Sequence, residues 1–159
     1  MRIGFGFDVH QLGENEELWL GGIKIPHIKG TIGHSDADVL LHAICDAVLG
    51  ALALGDIGKH FPDTDQTFKG IDSKLLLQKV ITLIDSKGYK IGNIDSTLCL
   101  EKPKIISYVD EMRKVISDIC MVSIDDISIK ATTNEKMGFI GRQEGVTAYA
   151  VSLLVKKTL

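Results

Sequence analysis

Cysteine is too scarce and too scattered in this chain to staple it. Cys45, Cys99 and Cys120 are odd in number, widely spaced and set among apolar residues. That pattern fits buried thiols in a reduced, cytoplasmic setting and not a disulfide framework. There is no CxxC pair, which removes the cysteine-based zinc modules. Arginine is equally sparse, with Arg2, Arg113 and Arg142 only, and the net charge is -3. General attraction for nucleic acid or an acidic membrane is thereby excluded, and any phosphate binding has to come from a local site. The longest apolar run, AVLGALALG, is too short and too rich in Ala and Gly to span a bilayer. The N-terminus passes straight into strand-like sequence, so no signal or transit peptide is expected.

What is present is an ordinary globular mixture. The 159 residues are 45% hydrophobic and 25% charged, enough for a real core in a single domain, residues 1–159. Residues 2 to 10 alternate like a strand, and Gly13 to Asn15 breaks it. ELWLGGIKIP reads as a second strand with a turn or bulge at Gly21-Gly22, closed by Pro26. HSDADVLLHAICDAVLGALALGD is the strongest helix pattern, with Ser35 and Asp38 resembling a capping box and Gly55 as its stop. A second helix is predicted over 73 to 87, capped by Asp72, striped by Leu76, Val80 and Leu83, and ended by Gly88. A strand over 89 to 101, a helix over 107 to 120 (Val109, Met112, Ile116, Ile119) and strands near 127 to 133 and 144 to 156 complete the chain. The expected fold is α+β, a mixed β-sheet with helices layered on one face.

Three stretches carry chemistry. In GFGFDVHQL, the alternation puts Phe5, Phe7 and Val9 on one strand face and Asp8 with His10 on the other; the expectation is that the apolar face points into the core. His42 lies mid-helix, with Asp38 and Asp46 one turn to either side. Asp8, His10 and His42 could supply the three ligands of a catalytic zinc site, with a carboxylate such as Asp46 orienting a ligating histidine. A short DxH pair also arises by chance, and a histidine in an apolar helix often serves as a hydrogen-bonded core residue. In GDIGKHFPDTD, the carboxylates of Asp56, Asp63 and Asp65 suit a polyol or a solvated turn. His34, beside a helix N-terminus, could donate to a phosphate. In KATTNEKMGFIGRQEG, Thr132, Thr133 and Arg142 suit phosphate oxygens, and Glu135 suits them only through a bridging magnesium or manganese ion. A polar turn before the last strand explains the same residues.

Together, GFGFDVH, the run from HSDADVLLH to FPDTD, EKPKI and KATTNEKMGFIGRQEG closely resemble the 2-C-methyl-D-erythritol 2,4-cyclodiphosphate synthase family of the non-mevalonate isoprenoid pathway, in order and spacing through nearly the whole chain. The resemblance implies a lyase acting by intramolecular phosphoryl transfer: 4-diphosphocytidyl-2-C-methyl-D-erythritol 2-phosphate becomes the 2,4-cyclodiphosphate and CMP leaves. It implies zinc or another divalent transition metal at Asp8, His10 and His42, and Mg2+ or Mn2+ on the substrate diphosphate at Glu135. His34 and Thr133 match the catalytic pair. His34, Ser35, Asp56, Ile57, Gly58, Phe61, Pro62, Asp63, Thr64 and Asp65 match the erythritol phosphate side of the substrate site, and Asp8, Val9 and His10 also match substrate-binding residues. Leu100, Glu101, Lys102, Pro103, Lys104, Ile105 and Ile106, with Ala131, Thr132, Thr133, Asn134 and Glu135, match its cytidine and diphosphate side. Phe139 and Arg142 match further substrate contacts. Leu100 and Ser107 depart from residues common in the family, which bears on packing more than on specificity.

The implied assembly is a homotrimer with active sites between subunits, binding a small cytidine nucleotide and neither nucleic acid nor membrane. A cavity on its threefold axis, lined by Phe139, Arg142 and Glu144, would admit an isoprenoid diphosphate or serve packing alone. Two other readings of the residues are a metal-dependent phosphohydrolase, told apart by its linear product, and a non-catalytic trimer that binds isoprenoid diphosphates.

Overall fold

In the computed structural model, which describes residues 1–62, 64 and 70–157, a five-stranded sheet runs in the order β4-β1-β7-β5-β6. The strands are β1 (Arg2–Glu14), β4 (Lys29–Ile32), β5 (Tyr89–Cys99), β6 (Ile127–Thr132) and β7 (Gly145–Lys156). All neighbours are antiparallel except β5 and β6, which are parallel. The parallel pair is joined through a helix, as such a crossover requires. The sheet is therefore mixed and the fold α+β, as expected.

ELWLGGIKIP is two strands, not one. β2 (Leu18–Leu20) and β3 (Ile23–Ile25) form their own hairpin. Gly21 and Gly22 turn it with φ of 61° and 82°, the double left-handed conformation that a two-residue hairpin turn demands. β4 was not expected; KGTI is too short to show a period.

The helices are α1 (Val39–Ala51), α2 (Ile57–His60), α3 (Ser73–Ser86), α4 (Val109–Cys120) and α5 (Gly138–Gly141). The four-residue α2 and α5 also lay below what periodicity shows. Asp72 caps α3 as predicted, its carboxylate accepting from Lys74 N–H. α1 starts later than expected because Asp38, not Ser35, is its cap. The Asp38 carboxylate accepts from the N–H groups of Leu41, Gly21 and Gly22 at 3.0, 2.9 and 2.6 Å. It is fully buried, and burial drives its pKa up against those backbone hydrogen bonds. α1 also ends before Gly55. Ala53 takes the left-handed turn at φ 56°, while Leu54 N–H donates to Leu49 C=O and Ala53 N–H to Gly50 C=O. These two bonds are a Schellman closure, and partly buried Leu54 seals it against the core.

α1 lies on β1 and β7, and the sheet face beneath it is made of small residues. A Cβ built on Gly4 would fall 1.8 Å from Ala47 C=O, and one on Gly6 would fall 1.9 Å from Ala43 C=O. Gly4, Gly6, Asp8 and His10 pair with Ser152, Ala150, Ala148 and Val146, all buried. The expected orientation of β1 is thus reversed. Its glycine, Asp and His face meets the helix. Ile3, Phe5, Phe7 and Val9 point the other way, 73%, 63%, 43% and 45% exposed, beside exposed Tyr149 and Val151. A face carrying Phe and Val cannot admit a helix so close to the sheet; the glycine face can. Among the described residues, no helix is long and apolar enough to cross a membrane.

Gly6→Ala forces that contact apart. It should destabilise the fold by about 3 kcal/mol, read as a lowered urea midpoint, whereas the same change at the open Gly88 side-chain position leaves the α1–β1 contact intact.

Candidate active site

The close α1–β1 contact carries His42 over the polar end of β1. Asp8 Oδ2 lies 3.0 Å from His10 Nε2 and 3.0 Å from His42 Nδ1, and the two ring nitrogens are 3.1 Å apart. Three donor atoms converge on one point, and they can hold a metal ion. The remaining ring nitrogens support this. His10 Nδ1 sits 3.0 Å from Ile32 C=O, an atom that only accepts. His10 Nδ1 therefore carries the proton and Nε2 turns its lone pair to the convergence point. His42 is buried, and its Nε2 faces Ser73 Oγ at 2.9 Å and Ser35 Oγ at 3.2 Å. Asp46 does not orient it, contrary to expectation; the Asp46 carboxylate accepts from Ile57 N–H at 2.8 Å and so anchors α2.

The electrostatics follow from this geometry. In the metal-free chain burial pushes the Asp8 carboxyl up, but hydrogen bonds from the doubly protonated rings of His10 and His42, and their charge, outweigh it and hold the group at about 2. Burial depresses His10, while the Asp8 hydrogen bond and charge overcome it and leave its pKa raised.

A cavity of about 310 Å³ opens beside these three residues. His10, His34, Ser35, His42, Ile57, Gly58 and Phe61 line it, together with Ile71 and Leu76. His34 Nε2 is buried there without a hydrogen-bond partner among the described residues, a cost unless a bound molecule supplies an acceptor. Asp56 caps α2 through Lys59 N–H at 3.0 Å. Val9 sends its side chain to the opposite face of β1 and can offer this site only its backbone. Pro62 and exposed Thr64 follow Phe61; Asp63 and Asp65 lie outside the described residues.

A second cavity, of about 390 Å³, is lined by Leu100, Glu101, Pro103, Lys104, Ile105 and Ile106 from one segment and Ala131, Thr132 and Thr133 from another, with Val109, Ile129 and Lys130. The parallel pairing of β5 with β6 joins the two segments, since Leu98 pairs with Ala131 and Cys99 with Thr132. Asn134 N–H donates to the Glu101 carboxylate at 3.2 Å. Thr133 Oγ donates to Glu135 Oε1 at 3.3 Å. Lys102 is exposed between the lining residues. Phe139 and Arg142 line neither cavity; the Arg142 guanidinium forms a two-pronged pair with Glu144 at 2.9 and 3.0 Å.

Two residues behind His42 had no local signal: Ser73, which touches it, and Asp36, which touches Ser73. Ser73 reads as the first residue of a helix already capped by Asp72, and Asp36 reads as part of a cap. Only the fold places them behind the ligand.

Residues 1–155 match the model of the YgbB family. A relative named 2-C-methyl-D-erythritol 2,4-cyclodiphosphate synthase, from Porphyromonas gingivalis, is 58% identical over 154 residues, 97% of this chain and 95% of the relative. The solved bifunctional IspDF of Campylobacter jejuni is similar with a TM-score of 0.94 and 41% identity, over 99% of this chain and 42% of that longer one. The IspF–CDP complex of Plasmodium falciparum is similar with a TM-score of 0.87 and 36% identity, over 99% of this chain and 97% of that one.

Because the folded pKa of Asp8 lies below its ordinary 3.8, its contribution to stability is complete above about pH 4 and is lost as pH falls towards 2. Urea midpoints of the metal-free protein should drop through that window, and Asp8→Asn should flatten the drop.

Proposed function

This chain belongs to the YgbB family, and we propose that its two cavities, brought together between subunits, form the site of the family's reaction. The activity is that of a 2-C-methyl-D-erythritol 2,4-cyclodiphosphate synthase: the 4-diphosphocytidyl 2-phosphate is cyclised and CMP leaves. The observation that carries the mechanism is the convergence of Asp8, His10 and His42 beside a cavity where His34 Nε2 has no partner among the described residues.

Both reacting groups are anionic phosphates, so repulsion opposes their approach. Zinc at Asp8, His10 and His42, and magnesium or manganese at Glu135, would supply positive charge that offsets this repulsion and aligns the two groups. The attacking phosphate oxygen is already ionised, so no residue has to remove a proton from it. His34 Nε2 donates to an oxygen that gains charge in the transition state, and the Thr133 hydroxyl, turned from Glu135, donates to another. Ser35, Ile57, Gly58 and Phe61 enclose the erythritol phosphate and exclude water. Pro103, Ile105 and the backbone of 100 to 106 receive the cytidine, while Ala131 to Glu135 receives the diphosphate.

The sheet register bears on assembly. Asp8 pairs with Ala148, Ala148 with Leu98 and Leu98 with Ala131. The two sites thus sit level with each other but three strand spacings apart, roughly 14 Å. That is too far for one chain to hold two phosphates in reacting contact. A homotrimer in which the 131 to 135 segment of one copy meets the metal side of the next resolves the mismatch. The apolar face of Ile3, Phe5, Phe7, Val9, Tyr149 and Val151 is then what the copies bury. The three free cysteines, two of them buried, suit a cytoplasmic protein.

Incubated with the nucleotide substrate and magnesium, the protein should release CMP and a cyclic diphosphate, and a chelator should stop it. A linear phosphorus product, or no CMP, overturns the reading. His34→Ala should lower kcat by about 10²-fold without altering bound zinc. In sedimentation velocity the protein should run as three chains, and Phe7→Glu should reduce it to single chains with no turnover.

A further inference from the structure

The metal-facing atom of His42 is Nδ1, so the aim of the ring depends on what holds Nε2. Nε2 lies 2.9 Å from Ser73 Oγ, and Ser73 is completely buried. The Ser73 hydroxyl is in turn 2.5 Å from Asp36 Oδ1, and Ser73 N–H donates to Asp36 Oδ2 at 2.9 Å. A carboxylate only accepts. The hydroxyl proton of Ser73 is therefore committed to Asp36, and its oxygen is left to accept from the imidazole. That arrangement demands a proton on His42 Nε2 and a free lone pair on Nδ1, the atom 3.0 Å from Asp8.

Helix capping does not account for the contact. Asp72 already caps α3 through Lys74 N–H at 2.8 Å, and the Ser73 backbone N–H meets Asp36 without help from the hydroxyl. Asp36 is itself held in place, since Asp36 N–H donates to Ile71 C=O at 3.1 Å and Gly70 N–H donates to His34 C=O at 2.8 Å. The segment bearing His34 and the start of α3 are thus tied together directly behind the ligand.

We propose that Asp36 and Ser73 act as positioning residues: a carboxylate–hydroxyl–imidazole chain that fixes His42 as an Nδ1 metal ligand and sets the angle of its ring. Ser35 Oγ, at 3.2 Å from Nε2 and accepting from Ala37 N–H, is the weaker partner and is free to turn to substrate. His10 has the same device in simpler form, with the Ile32 carbonyl in place of the chain. The proposal rests on the metal-site reading above.

The test is zinc affinity, measured by competition with a chromogenic chelator. Ser73→Ala keeps every backbone bond and should weaken zinc binding by about 10–100-fold. It should also shift the visible bands of the cobalt-substituted protein, because the ligand ring is no longer held. Ser73→Thr, which keeps the hydroxyl, should restore both. Wild-type-like zinc affinity and an unchanged cobalt spectrum in folded Ser73→Ala overturn the proposal while leaving the metal site standing. Absence of zinc binding in the wild type overturns both. Histidine-nitrogen NMR of the wild-type zinc protein needs no variant. It should show His42 ligated through Nδ1, with a slowly exchanging Nε2–H close in space to the Ser73 β-protons. Ligation through Nε2 overturns the proposal.

Discussion

The packing of α1 directly on β1 is the contact on which the rest of this molecule depends. It exists because Gly4 and Gly6 have no side chains where the carbonyls of Ala47 and Ala43 come down on the sheet. Buried Ala148 and Ala150 extend the same low floor under the helix. A helix seated this close brings His42 within hydrogen-bond distance of a side chain on the strand itself. With a normal separation of helix and sheet, filled by large side chains, Asp8 and His42 would not meet. Packing and chemistry are here one constraint.

The same contact explains why β1 is inside out by the ordinary rule. Apolar residues usually face the core and polar ones face water. Here the face turned to the helix carries glycine, Asp8 and His10, and the aromatic face is left exposed. The partial burial of two ionisable groups is tolerated because each is paired: Asp8 with both histidines, His10 with Ile32 C=O. A polar cluster so connected is stiff, which suits groups that have to hold one point in space. The exposed aromatic face is what a second and third copy would cover in the proposed trimer, and the division of the proposed substrate site into two cavities on one chain would give the same assembly a chemical purpose.

Around the ligands, the fold spends short irregular segments where a sequence pattern has little to say. α2 is anchored by Asp46 and capped by Asp56, so two carboxylates that look available for chemistry are engaged with backbone N–H groups. Asp38 fastens the β2–β3 hairpin to the start of α1 with three backbone hydrogen bonds. These carboxylates hold the frame in which His34 Nε2 is left without a partner among the described residues.

Patterns along the chain were enough to read the long elements, the mixed α+β class, and the candidates Asp8, His10, His42, His34 and Thr133. Helix and strand periods, and local motifs carried in order, are properties of neighbouring residues and survive in one dimension. They also showed that Asp8 and His10 share a face, because alternation along a strand is local. Which face that is depends on packing between segments distant in the chain. Hydrophobicity predicts that Phe5, Phe7 and Val9 turn inward, and the helix overrides it through a steric fit at Gly4 and Gly6 that no count of apolar residues contains. The role of Ser73 was hidden for the same reason: it lies 31 residues from His42 in the chain and 2.9 Å from it in space. The pairing of the 100 to 106 segment with the 131 to 133 segment, and their separation from the metal side, follow from strand order, which is set by how the whole sheet closes its hydrogen bonds.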